Sequence, residues 1–235
     1  MTARAIDGIL FDKDGTLFDF RRSWGAWSDR FLRHVARDEA HAAEMGRAIG
    51  YDLSDGSFAP DSPVIATTAE VIGTHLMPHL PDLTLAEILS RIDAMAAEAP
   101  MAEAVPLIPV LSALKGRGLR LGLATNDSEV PARTHLDRHG VRHLFDFVSG
   151  YDSGHGAKPG PGMCLAFAKS QSLDPRRVVM VGDSRHDLEA GRAAGMRTVA
   201  VLTGIATAGD LAPLADAVLP DIGALGDWLD AQPAG

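Results

Sequence analysis

Short apolar runs that end in acids or hydroxyls recur along this 235-residue chain, and helical segments separate them. Residues 5–11 end in Asp12-Lys13-Asp14-Gly15-Thr16. Leu119–Ala124 ends in Thr125-Asn126-Asp127, and Val178–Val181 ends in Gly182-Asp183-Ser184. Thr198–Leu202 and Ala217–Leu219 are further apolar runs of strand length. Runs this short, bounded by turn residues, read as buried strands. The segments between them carry helix punctuation. Pro109 precedes Val110, Leu111 and Leu114 and the segment stops at Gly116; Pro161 opens a stretch holding Cys164, Leu165 and Ala168; residues 187–194 stop at Gly195. Strands alternating with helices predict βαβ units and a parallel sheet, an α/β core of Rossmann-like type. Ligands of such sheets sit beyond the carboxyl ends of the strands, where the polar clusters fall here.

Residues 19–99 break the alternation. Trp24, Trp27, Phe31 and Val35 recur at helical spacing, and Ser62-Pro63 reads as a helix start ahead of Val64, Ile65, Thr68, Ile72 and Leu76. Thr84-Leu85-Ala86-Glu87 has the pattern of a capping box before Ile88, Leu89, Ile92 and Met95. The expected organisation is a core of residues 1–18 and 100–235 with an all-helical cap, residues 19–99, inserted just after the first acidic turn. An insert at that place sits over the carboxyl edge of the sheet as a lid.

Composition limits the partners. Hydrophobic residues are 46% and charged residues 23% of the chain, ordinary for a folded globular protein. The formal charge of −9 argues against a general nucleic-acid or anionic-membrane surface. A single cysteine, Cys164, excludes an internal disulfide, and no cysteine-rich metal framework exists. The opening Met1-Thr2-Ala3-Arg4 lacks the features of a signal peptide, and no apolar run approaches the ~20 residues that span a bilayer. The expectation is a cytoplasmic protein, monomer or homodimer.

Asp12 and Asp14 are carboxylates one residue apart at a strand end, where alternate side chains share a face. Two such acids repel unless a cation or a shared proton compensates. Mg²⁺ suits them, because it prefers oxygen ligands and is usually held by one or two carboxylates plus phosphate. Asp-x-Asp-Gly is also ordinary turn chemistry, and Thr125-Asn126 alone is a good turn or helix cap. Lys158 follows the flexible run Gly154-His155-Gly156-Ala157, and Pro159 after it restricts its backbone to extended conformations. Asp183 stands directly at a strand end, with Asp187 four residues on, where it can also favour a helix N-terminus. The order of these groups along the sheet edge carries the meaning.

In that order the motifs resemble those of the haloacid dehalogenase superfamily, in its phosphoglycolate-phosphatase-like branch with a helical cap. The first motif is Phe11-Asp12-Lys13-Asp14-Gly15-Thr16-Leu17, the second Thr125-Asn126, the third Lys158-Pro159 and the fourth Gly182-Asp183-Ser184-Arg185-His186-Asp187. The resemblance covers the whole chain. It implies a Mg²⁺-dependent phosphatase acting on a small phosphorylated metabolite, a phosphomonoester that is phosphoglycolate-like or a sugar phosphate. Asp12 would be the nucleophile that forms an aspartyl-phosphate, and Asp14 the general acid and then base. The Asp12 carboxylate, the Asp14 carbonyl and the Asp183 carboxylate would hold the metal, Asp187 would orient a metal-bound water, and Thr125, the Asn126 backbone and Lys158 would hold the phosphoryl oxygens. Dehalogenases of the family lack an acid at the place of Asp14, so its presence favours phosphate esters. A phosphomutase of the same superfamily, or a non-enzymatic phosphoaccepting regulatory protein, stays open as an alternative. Asp127 departs from the small hydroxyl residue common after the Thr-Asn pair.

Other residues have plainer readings. His75 and His79, and His135, His139 and His143, are spaced as zinc ligands on a helix can be, but Pro78 and Gly140 interrupt the two series, and both read as solvated faces. Trp24 and Trp27 read as cap core, Arg21 and Arg22 as a solvated hinge or a carboxylate-binding pair, and His155 as a loop residue.

Overall fold

A computed structural model describes residues 6–232. The first residue of the expected leading strand, Ala5, and the Met1–Arg4 start lie outside the described residues. Strand β1 (Gly8–Phe11) is followed by helices α1 (Phe20–Val35) and α2 (Glu39–Ala48), the short strands β2 (Tyr51–Asp52) and β3 (Ser57–Phe58), and helices α3 (Ala69–Leu76) and α4 (Leu85–Ala97). The chain then resumes the alternation with α5 (Leu107–Gly116), β4 (Arg120–Ala124), α6 (Glu129–Arg138), β5 (Phe147–Ser149), α7 (Gly162–Ser170), β6 (Val178–Gly182), α8 (Arg185–Ala193), β7 (Arg197–Val201), α9 (Ala208–Leu211), β8 (Ala217–Leu219) and α10 (Leu225–Asp230).

Six strands form one parallel sheet in the order β5-β4-β1-β6-β7-β8. The register decides where the chemistry goes. Phe11 lies opposite Leu123 of β4 and Val181 of β6, so the three central strands end level and their polar tails emerge side by side. Alternation along β1 sends Ile9 and Phe11 into a core with Leu107, Leu111 and Leu136, and Leu10 into a second with Met163 and Phe167. Both faces of the sheet are therefore covered, as a parallel sheet requires.

The insert leaves and returns at one place. The Asp19 amide donates to the Ala102 carbonyl at 2.8 Å, the Ala104 amide donates to Leu17 at 2.9 Å, and Phe18 bridges Glu103. Asp19 caps α1 by accepting from the Arg22 amide at 2.9 Å, and the buried face of α1 carries Phe20, Trp24, Trp27 and Phe31. The Thr84–Glu87 capping box forms as its sequence predicts.

Three local expectations need correction. The insert is not all helical: Tyr51-Asp52 and Ser57-Phe58 pair as an antiparallel hairpin. The Asp52 carboxylate accepts from the Ser54 amide and hydroxyl at the turn, and Gly56 takes φ +72°. Helix α3 starts at Ala69 after Thr68, not at Ser62-Pro63. The Ser62 hydroxyl donates to the Ile49 carbonyl, just past α2, at 2.6 Å and accepts from the Val64 amide at 3.3 Å, and residues 62–67 stay as turns. Strand β5, Phe147-Val148-Ser149, is not among the expected runs, because two apolar residues followed by a serine make no apolar run. Among the described residues no helix is long and apolar enough to cross a membrane.

Candidate active site

The groups at the level strand ends converge. Asp12 and Lys158 are buried, and the Lys158 ammonium donates to Asp12 Oδ1 at 2.5 Å, to Asp187 Oδ1 at 2.6 Å and to the Ala124 carbonyl at 2.8 Å. Its direction is set by Asn126. The Asn126 side-chain oxygen accepts from the Lys158 amide at 2.9 Å, and Nδ2 donates to the Lys158 carbonyl at 3.0 Å, so one amide clamps the lysine backbone from both sides. The Thr125 hydroxyl accepts from the Asp127 amide at 3.0 Å and lies in the same cleft.

Asp183 completes an acidic cluster. Asp12, Asp183 and Asp187 are all buried and each offers a carboxylate oxygen within 4.8 Å of the others. Gly15 adopts φ +85°, and a Cβ there would stand 2.3 Å from Asp183 Oδ2; one on Gly204 would stand at 1.7 Å. Only glycines can pass so close to that carboxylate. Asp187 is the N3 residue of the α8 capping box: its Oδ2 accepts from the Ser184 amide at 3.0 Å and hydroxyl at 2.7 Å, while its Oδ1 faces Lys158. Capping and site membership are thus two uses of one side chain.

Electrostatics identify what the cluster lacks. Burial pushes the Asp12 carboxyl up to about 7, against the pull of Lys158, and Asp187 and Asp14 add to the rise. Asp183 is raised well above its ordinary value by burial and by Asp12 and Asp187. Burial disfavours the Lys158 charge, but Asp12 and Asp187 outweigh it and raise the ammonium. Of these three buried carboxylates the one ammonium bonds two, Asp12 and Asp187, and the available donors are oxygens. That set fits Mg²⁺.

Lys13 has a role that sequence reading missed. Its side chain is fully buried, and Nζ lies 2.8 Å from Asp14 Oδ1, 3.1 Å from Asp127 Oδ2 and 3.3 Å from His135 Nδ1, with the Trp24 ring centre at 5.2 Å. Burial would lower its pKa, yet Asp14 and Asp127 raise it. Asp127, in turn, is pushed up to about 6 by burial against the pull of Lys13. The unusual acid after Thr-Asn and the lysine between the two aspartates are therefore one ion pair, and their joint presence was the available signal. His135 also corrects an expectation, because it is buried rather than solvated. Its Nε2 donates to the Ala96 carbonyl at 2.7 Å, which leaves Nδ1 to accept from Lys13. Burial, with Lys13, lowers its pKa to about 3, so it is neutral.

Between insert and core the cleft encloses a cavity of about 60 Å³. Asp12, Asp14, Thr125, Asn126, Lys158, Asp183 and Asp187 all line it. Trp24 and Trp27 line it as well as packing the insert, whereas Arg21, Arg22 and His155 are exposed and lie outside the lining. Two hydrogen bonds close insert onto core at the Ala66 carbonyl, from Asn126 Nδ2 at 2.9 Å and His186 Nδ1 at 3.0 Å.

Comparison with known proteins fits this geometry. The sequence profile of haloacid dehalogenase-like hydrolases matches residues 6–195. The chain belongs to the haloacid dehalogenase-like hydrolase family. A phosphoglycolate phosphatase of Rhodospirillum rubrum is 30% identical over 231 residues, covering 97% of this chain and 92% of the relative. Two solved structures are similar at 20% identity and show the shared fold of these hydrolases. A predicted phosphoglycolate phosphatase from Haemophilus somnus has a TM-score of 0.74 over 95% of this chain and 98% of that one. A putative β-phosphoglucomutase from Thermotoga maritima has a TM-score of 0.67 over 96% and 99%.

Proposed function

We propose that this protein is a Mg²⁺-dependent phosphatase that hydrolyses small phosphomonoesters through an aspartyl-phosphate on Asp12. The observation that carries the reading is the convergence of Asp12, Lys158, Asp183 and Asp187 at the carboxyl edge of the sheet beneath the insert. The similarity to a phosphoglycolate phosphatase supports it. Asp12, the Asp14 carbonyl and Asp183 would hold Mg²⁺ and Asp187 would orient a water on it, and the ion would supply the positive charge that lets an anionic nucleophile approach an anionic phosphate.

The chain's own groups do the rest. An Asp12 carboxylate oxygen attacks phosphorus as the ester P–O bond breaks, and the departing alcohol takes a proton from Asp14. Lys13 donates to Oδ1 of Asp14, so the transferable proton belongs on Oδ2. Asp14 then accepts a proton from the water that attacks phosphorus, which releases phosphate and restores Asp12. Lys158, the Thr125 hydroxyl and the Asn126 backbone N–H hold the phosphoryl oxygens while charge spreads over them. Residues 19–99 act as a lid on a core formed by 1–18 and 100–235, and closure excludes bulk water.

Phosphate release from p-nitrophenyl phosphate tests the reading. Release should require Mg²⁺, stop on addition of EDTA and fall by several orders of magnitude in Asp12→Asn. Equal activity of wild type and Asp12→Asn after EDTA treatment refutes it. A product that keeps its phosphate at a new position, with no inorganic phosphate released, indicates a mutase instead.

A further inference from the structure

The two sides of the cleft differ in kind. The floor carries the carboxylates of Asp12, Asp14, Asp127, Asp183 and Asp187. The roof, contributed by the insert, presents Phe20, Trp24, Trp27, Ile65, Ile72 and Ile92. Among the described lining residues the one lysine is Lys158, already donating to Asp12, Asp187 and a carbonyl, and no arginine lines the cleft. His186 is bonded to the Ala66 carbonyl, and Lys13, behind the floor, faces Asp14 and Asp127. The roof offers no cation.

Its two indoles do not alter this. Trp24 and Trp27 are each more than nine-tenths buried, and each Nε1–H is enclosed within the protein without a hydrogen-bond partner, so what they turn to the cleft is apolar ring.

Building on the phosphatase reading above, we propose that the alcohol half of the substrate is uncharged: an apolar, aromatic or neutral body with neither a carboxylate nor a second phosphate. In phosphoglycolate the carboxylate is one methylene from the ester oxygen, so it would leave water for an apolar wall without a counter-charge and within the field of the acidic floor. Burying an unpaired carboxylate is strongly unfavourable. Apolar carbon gains free energy at the same place in proportion to the area it buries.

The test is phosphate release by the full-length protein with Mg²⁺ from p-nitrophenyl phosphate, phosphoglycolate, 2-hydroxyethyl phosphate and 2-phenylethyl phosphate. The second and third differ mainly in carrying a carboxylate or a neutral CH₂OH. The expected result is that kcat/KM for 2-hydroxyethyl phosphate exceeds that for phosphoglycolate by roughly tenfold or more, with 2-phenylethyl phosphate higher again. Ile65→Lys, which puts a cation at a half-buried position of the roof, should shift the ratio toward phosphoglycolate by roughly tenfold. Phosphoglycolate equal to or better than its neutral counterpart in the wild type overturns the proposal, as does a ratio unchanged in Ile65→Lys. In either case release from p-nitrophenyl phosphate still supports the phosphatase reading. No release from any ester overturns both.

Discussion

Lys13 shows how one side chain can hold a catalytic floor from behind. It compensates Asp127 and steadies Asp14, and none of the three is replaceable alone. Lys13→Met leaves two acids without their ammonium and should cost about 3–5 kcal/mol of stability in urea denaturation, the usual penalty for breaking a buried pair. Lys13→Met combined with Asp127→Asn should recover most of that loss, since no buried charge is stranded at 127; additive losses would show that the pair is not coupled. His135 adds a pH signature. Its folded pKa of about 3 lies below the ordinary 6.5, so the unfolded chain binds the proton more readily. The stability it contributes is complete above pH 6.5 and is lost as pH falls from there toward 3. The stability gap between wild type and His135→Gln should therefore shrink between pH 7 and 4.5, and a constant gap contradicts a buried neutral imidazole. Asp12 and Asp183 were legible in the sequence because each ends an apolar run at a turn, and Lys158 because it precedes Pro159 and falls in order between them. Lys13 was not, because a lysine in a turn reads as solvated, and two of the partners that bury it lie far along the chain at 127 and 135.

Helix α1 serves two surfaces at once. Its aromatic stripe was legible as spacing, and reading it as core accounts for half of its use: Trp24 and Trp27 also roof the cleft. The Ser62–Thr67 segment hid its meaning for a different reason. A Ser-Pro pair ahead of apolar residues has the chemistry of a helix start, and the Ser62 hydroxyl does accept from the Val64 amide, but its bond to the Ile49 carbonyl holds the segment as a turn and the helix waits for Ala69. Such tertiary competition leaves no trace in local pattern. The same holds for β5, where three residues owe their strand conformation to pairing with β4. The turn at 62–67 carries the Ala66 carbonyl that receives His186 and Asn126. His186→Ala removes one donor, worth about 1 kcal/mol, and should speed amide exchange at Ile65 and Thr67 about fivefold while leaving the central strands unchanged. Unchanged exchange there would mean that the contact does not restrain the insert.

At the scale of the molecule, strand order explains why an acidic protein can concentrate acids further at one edge. β1 lies between β4 and β6, so its terminal aspartate meets the tails of both neighbours, and the repulsion is left for a cation to relieve. Mg²⁺ should raise the melting temperature by mass action, with about 2.7 kcal/mol gained at a hundredfold excess over Kd, and EDTA should reverse it. Asp183→Asn should abolish the increment. In EDTA that variant should melt above wild type, because one of three crowded carboxylates is gone. A wild type indifferent to Mg²⁺ would place the ion elsewhere.

Asn126 ties these scales together. Of the three bonds its amide makes, two grip the backbone of Lys158 and one reaches the insert at Ala66. Raising the insert ruptures only the last. The lysine's cradle outlasts the opening, so an incoming ester meets a finished seat, and the moving part governs how long it stays rather than whether the seat exists.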